Sequence, residues 1–320
     1  MFPHPRLARH IMRPRLVGLT AVIVAVFAAC TDSSADSPRP VNAAPSSVAG
    51  DTDDFGMPVP TDARYAARVV SLNPTTTELL FALGVDSLLV GRSRWDTFPR
   101  AAQRVPAVGD GIRPNVEAIV AVRPTLVLVY ATPENRAAVE ALARAGIRTM
   151  ALRVDRLEQW HQMVQRLGIA LGVEATAGLV RDSVQRTLDR VRAATASLTE
   201  RPRVVWPVWD TPPMVIGAGS YLDELLTIAG ATNVFHDRAE PSFTVSMEEI
   251  VRRAPDRVIV SAQQAAAFRT RPGWQALPAV REGRFVMENP DLTGRPSVTM
   301  GMAAVQLAKA LHPQLADRLP

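Results

Sequence analysis

The sequence predicts an α/β fold of two similar lobes, with mostly parallel sheets flanked by helices, joined by one long helix. Three observations lead there. NVEAIVAVRPTLVLV from Asn115 is echoed by SMEEIVRRAPDRVIV from Ser246 at a constant offset, which pairs Glu117 with Glu248, Ile119 with Ile250, Pro124 with Pro255 and Val127 with Val258. ELLFALG from Glu78 recurs as ELLTIAG from Glu224. Self-similarity at so long an offset marks two lobes wired alike. Short β-branched runs also alternate with amphipathic segments, the pattern of parallel sheets with crossover helices, and residues 173–200 contain no Pro and one Gly.

The elements follow in order. RVVSL from Arg68 reads as a buried strand, and Asn73-Pro74 with three Thr opens a helix that Gly84 stops. LLVGRS is a second strand. RWDTFPRAAQRVPAVGDGIRP is a loop, and Asn115 caps the helix VEAIVAVR before the strand PTLVLVY. NRAAVEALARAG is a helix, IRTMAL a strand and LEQWHQMVQRLGIALG a helix. In 173–200 the apolar positions Leu179, Val184, Leu188, Val191 and Leu198 fall at helical spacing. PRVVWPVW at 202–209 restarts the pattern of ARVV at 67–70. Ligands of parallel α/β sheets sit outside the carboxyl ends of the strands, so a cleft between the lobes is the expected site.

The 320 residues suffice for two ordinary domains, and 47% apolar content supports a packed core. The net charge of +5 is carried by Arg interspersed with acids, a solvated surface and not a nucleic-acid footprint. At the N-terminus Arg6, Arg9, Arg13 and Arg15 precede the apolar run Leu16–Ala29, which ends FAAC. A basic region followed by a short apolar one is a signal peptide, assigned to 1–29. Cys30, the only cysteine, is the expected lipidation site, against a plain secretory cleavage nearby. It excludes an internal disulfide. Residues 30–65, rich in Ser, Pro, Asp and Ala, are expected to be a disordered tether with a reach of roughly 30 Å. The lobes are then 66–172 and 201–320, with 173–200 linking them.

Catalytic and metal signatures are missing from the sequence. There is no HExxH, GxSxG or GxxxxGK, and His161, His236 and His312 are scattered. The expectation is a binding protein without cofactor, metal or enzymatic activity.

RVVSLNPTTTELLFALGV, NVEAIVAVRPTLVLV, the long helix and SMEEIVRRAPDRVIV together resemble the helical-backbone class of periplasmic substrate-binding proteins of ABC importers, over about residues 66–312. The likeness is nearest to its cobalamin-binding members, ungapped from Gly91 to Tyr130. The resemblance implies a monomer that binds a corrinoid in the inter-lobe cleft, with ferric siderophore or haem as alternative ligands. It implies ligand contact at Trp95, Tyr130 and Asp291, and docking to arginines of the permease, which joins an ATPase, through Glu117 and Glu248. Three aromatics of the class are absent here, at Gly111, Met214 and Ser242. Trp206 or Trp209 would compensate.

The residues themselves allow plainer readings. Trp95 lies in a polar loop, RSRWDTFP, where a large aromatic face suits a ligand better than a core. Tyr130 and Trp209 end strands, where either role is open. Loop aspartates such as Asp291 commonly form Asx turns. Arg295 beside Pro296 suits an amide, carboxylate or phosphate. Glu117 and Glu248 complement helix dipoles, yet capping explains Glu249 and leaves their matched placement unexplained.

Overall fold

The computed structural model describes residues 52–319. The first lobe contains strands β1 (Val69–Ser71), β2 (Leu89–Arg92), β3 (Leu126–Tyr130) and β4 (Arg148–Leu152), with helices α1 (Pro74–Ala82), α2 (Val116–Ala121), α3 (Arg136–Arg144) and α4 (Leu157–Leu171). The long helix α5 is Glu174–Thr195. The second lobe has β5 (Arg203–Val205), β6 (Pro207–Asp210), β7 (Pro213–Ile216), α6 (Tyr221–Ile228), β8 (Thr232–Asn233), β9 (Ser242–Thr244), α7 (Met247–Arg253), β10 (Arg257–Val260) and α8 (Ala262–Phe268). It ends with the short α9 (Pro272–Gln275) and α10 (Pro278–Arg281), then β11 (Phe285–Met287), α11 (Pro290–Thr293) and α12 (Met300–Leu311).

The repeat is architectural. The first sheet runs β2-β1-β3-β4 and the second β8-β5-β10-β11, all parallel, so each strand has a counterpart in the same place. Asn115 and Ser246 cap α2 and α7 through their side chains. Each helix then ends in a left-handed residue just before the proline, Arg123 at φ 48° and Ala254 at φ 47°. An arginine at the entry to the first strand of each lobe, Arg68 just before β1 and Arg203 opening β5, satisfies a carbonyl freed at the helix end: Arg68 Nη2 donates to Val122 O at 2.8 Å and Arg203 Nη2 to Arg253 O at 2.7 Å. Left-handed backbone costs a non-glycine residue energy. The sequence gives no sign of it beyond the proline that follows.

Three expectations need correction. PRVVWPVW is two strands: β5 joins the parallel sheet, while β6 is an edge of a separate antiparallel sheet, β6-β7-β9. Leu179 is not a core residue of α5 but 67% exposed, whereas Val184, Leu188 and Val191 are buried. The stretch expected to be disordered to residue 65 is docked from Asp53 onward; Cys30, the signal segment and the rest of the tether lie outside the described residues. Buried Asp53 accepts the amides of Phe55 and Met57, and Ala151 N on the edge strand β4 at 2.8 Å. Asp54 accepts Arg153 N at 2.6 Å and pairs with Arg166 at 2.7 Å. A composition that reads as disorder thus covers an open sheet edge.

One apolar cluster runs unbroken from Leu79, Leu128 and Met150 through Trp160 and Leu167 of α4 and Leu188 and Val191 of α5 to Leu225, Leu307 and Leu311 of the second lobe. The long helix is therefore shared core and not a free hinge. Thr195 Oγ1 anchors its end to Ile228 O at 2.8 Å. No helix among the described residues is long and apolar enough to cross a membrane.

Replacing Asp53 with Ala strands three amides, one of them on the sheet edge. Urea unfolding is expected to show a loss of about 1–3 kcal/mol; an unchanged midpoint would mean the segment docks without stabilising.

Candidate functional site

A cavity of about 640 Å³ lies between the lobes. From the first lobe it takes residues just past the carboxyl ends of all four parallel strands: Leu72 and Asn73 after β1, Ser93 and Trp95 after β2, Tyr130 at the end of β3, and Val154 and Asp155 after β4. This is the placement that parallel α/β topology dictates. The second lobe contributes Val208, Ile216, Ser220, Tyr221, Ser242 and Arg295 among others.

Trp95 is the exposed platform of this cavity, 60% accessible. Its indole Nε1 donates to Asp110 Oδ2 at 3.2 Å, and Arg94, which pairs with Asp110, lies 5.1 Å from the ring centroid. The loop beneath is pinned by buried Asp96, which accepts Ser93 Oγ at 2.5 Å and Thr77 Oγ1 at 2.6 Å. Burial nonetheless raises its carboxyl above the ordinary value. Asp110 is the opposite case. The Ile112 amide, then Arg94 and Trp95, hold its carboxyl down from 3.8 to about 2. Tyr130 reaches the cavity with its phenol raised above the usual value, first by desolvation and then by the Asp155 carboxylate. Tyr221 is raised further by burial and donates to Thr293 O at 2.5 Å.

Gly111 lines the same wall. A Cβ there would meet Leu72 O at 2.5 Å, so the backbone leaves no room for the aromatic that the resemblance places at this position.

Arg295 reaches across the cleft. It forms an ion pair with Glu78 of α1, whose side chain is almost fully buried, and its guanidinium lies 5.4 Å from the Phe98 ring centroid. Desolvation lowers its proton affinity. The repeated counterpart of Glu78 does the same in reverse. Glu224 of α6 accepts Arg156 Nε at 2.8 Å and Leu157 N, the start of α4, at 2.7 Å. Each lobe thus sends the glutamate of its ELL segment to an arginine of the other. Asp155, the remaining charged residue of the lining, is paired with Arg153 at 2.7 Å. No charge in this cavity wall is unpaired.

The other sequence candidates lie elsewhere. Trp209 does not line this cavity but a neighbouring one. Asp291 is exposed in the first turn of α11, where Asn289 Oδ1 accepts its amide at 3.0 Å, and lines neither. Met214 lies on β7, outside both linings. Trp206 is buried core at the rim of the neighbouring cavity. Glu117 and Glu248 are exposed in the first turns of α2 and α7, beside exposed Val120 and Val251. Hydrogen bonds from its own amide and the Ser246 hydroxyl hold the Glu248 carboxyl below its usual range. Glu249 does not complete a capping box: its side chain turns to Arg253 at 2.7 Å. Sequence reasoning missed Asn73, Ser93 and Ser220, which line the cavity; their helix-cap and strand-end positions were the available signal.

A profile of the periplasmic binding protein family matches residues 69–292, spanning both lobes and the long helix. The chain belongs to that family. Membership makes it a binding protein and not an enzyme, and among the described residues no group of three or more His, Cys, Asp or Glu is placed to hold a metal. The binding protein is 30% identical over 250 residues to the vitamin B12-binding protein of Salmonella typhimurium, covering 77% of this chain and 91% of that one. It is 28% identical over 253 residues to the uncharacterized ABC transporter substrate-binding lipoprotein YvrC of Bacillus subtilis, covering 77% and 80%. In fold it matches the periplasmic heme-binding protein RhuT of Roseiflexus sp. RS-1 with a TM-score of 0.68 and 24% identity, covering 78% and 98%.

Two outcomes are expected of this geometry. Arg295→Met leaves the Glu78 carboxylate buried without its partner and should cost about 3–5 kcal/mol in urea unfolding, while adding Glu78→Gln should recover most of it. A double variant no better than the single would show that the pair is not the source. Trp95 emission should hold steady from neutral pH down to about 4. It should then change as Asp110 takes up its proton in the folded protein, with a midpoint at its folded value of about 2 and not at the ordinary 3.8. An Asp110→Asn protein should lack that transition.

Proposed function

We propose that this chain is the substrate-binding component of an ABC importer outside the cytoplasmic membrane, binding cobalamin or a related corrinoid between its lobes. The observation that carries the ligand is the charge balance of the cleft. Arg295 is neutralised by Glu78 and Asp155 by Arg153, so neither paired propionates nor an anionic ferric chelate meets a free cation. What remains is three aromatics, Trp95, Tyr130 and the more buried Tyr221, and neutral polar groups of Asn73, Thr75, Ser93, Ser220 and Ser242. A flat macrocycle rimmed with amides is the ligand class that such a wall satisfies. In this reading Trp95 and Tyr130 contact the ring and Arg295 closes the far wall, with its charge spent on Glu78.

Haem or a ferric siderophore is the alternative, supported by the likeness to a haem-binding protein. Against haem, iron ligation by Tyr130 needs the phenolate, which desolvation and Asp155 disfavour. The likeness to a lipoprotein supports an anchor at Cys30. The matched exposure of Glu117 and Glu248 supports docking to a two-fold partner bearing arginines, with the binding protein acting as a monomer.

Intrinsic fluorescence titrations with cyanocobalamin, haemin and a ferric hydroxamate decide the ligand. Saturable quenching by cyanocobalamin, weakened about tenfold or more in Trp95→Ala, is expected, since a lost aromatic stack is worth about that factor. A response to haemin or the hydroxamate alone would overturn it. For docking, Glu117→Arg and Glu248→Arg should reduce uptake into cells at unchanged ligand affinity, and an equal loss of affinity would refute the assignment.

A further inference from the structure

Beside the cleft, on the second lobe, lies a cavity of about 530 Å³ that shares Val208, Tyr221, Leu222 and Gly294 with the first. A feature of β6 links the two. The pairing of β6 with β7 shifts register between Pro207 and Trp209, so Pro207 faces Val215 and Trp209 faces the adjacent Met214. In a regular strand Val208 and Trp209 would point to opposite faces. Here both are exposed, Val208 lining both cavities and Trp209 only the second. Bulges at sheet edges re-aim side chains in this way.

The second cavity is built like the Trp95 platform. Trp209 is 61% exposed, and its indole N–H is already given to Thr211 O at 3.1 Å, leaving the ring face free. Arg271 is held beside it by Asp210 and by Thr211 Oγ1 at 2.8 Å. Gln264 is fixed by Ser261 N and Pro207 O, and Gln263 leaves an exposed amide in the wall. An aromatic face ringed by amides, a paired arginine and the Glu288 carboxyl, which accepts Thr293 Oγ1, suits a planar heteroaromatic group on a polar arm, which stacks without needing a charge partner.

We propose that this cavity is a second subsite, in which Trp209 stacks on an aromatic base carried by the ligand of the main cleft. For a corrinoid, that group is the benzimidazole of its nucleotide arm. The inference rests on the corrinoid reading above, and goes beyond it in giving the arm its own pocket.

Calorimetric titration of wild type and Trp209→Ala with cyanocobalamin and with dicyanocobinamide, which lacks the nucleotide, separates the two claims. The expected result is a loss of about tenfold or more for cyanocobalamin in the variant, the weight of one base–aromatic stack, with dicyanocobinamide unchanged. Equal loss for both corrinoids, or none for either, overturns the subsite and leaves the corrinoid reading standing. Absence of binding of both to wild type overturns the reading and the subsite together. Because Trp209 is exposed, the variant should keep the wild-type unfolding midpoint; Trp209→Phe, which keeps a stacking face, should recover most of the cyanocobalamin affinity.

Discussion

Two glutamates that cross between the lobes set the constraint on which the site depends. Glu78 and Glu224 occupy the same place in the two ELL helices, and each binds an arginine of the opposite lobe. They act together with an apolar core that passes through the long helix without a break. A cleft bounded by reciprocal ion pairs and a shared core has its width set before a ligand arrives. The pairs are not equivalent in strength. Glu78 is buried, so losing its partner leaves a desolvated charge, whereas Arg156 is largely solvated and its pair with Glu224 is screened. The Glu224 pair gains from the Leu157 amide at the start of α4.

The same pairs decide the chemistry of the wall. An arginine in a binding cleft ordinarily advertises an anionic ligand. Here the buried carboxylate claims it first, and the cavity is left with aromatic faces and hydroxyls. Trp95 and Trp209 follow a common plan: each indole N–H is given to a neighbouring acceptor, Asp110 or Thr211, and each ring face is left to the solvent.

The repeat, the order of strands and helices and the long helix were legible in the sequence because they rest on periodicity, caps and helix stops, which are local. The position of Trp95 followed from a polar loop after a strand, and that of Tyr130 from a strand end. Residues whose meaning depends on a distant partner were not legible. The echo of Glu78 in Glu224 was visible, but nothing in either segment names Arg295 or Arg156. Arg295 therefore read as a ligand contact when half of its role is structural. Asp53 looked like part of a linker because the amide that ties it to the sheet, Ala151 N on β4, lies far along the chain. The bulge that separates Val208 from Trp209 is a property of strand pairing, and PRVVWPVW reads as one strand without it.

Small-angle X-ray scattering of the protein with and without saturating cyanocobalamin tests the preset cleft most directly. An unchanged radius of gyration is expected in the wild type, because the crossed pairs and the shared core already hold the lobes in place. A clear contraction on binding would show that the lobes close on the ligand and that the ion pairs do not fix the cleft.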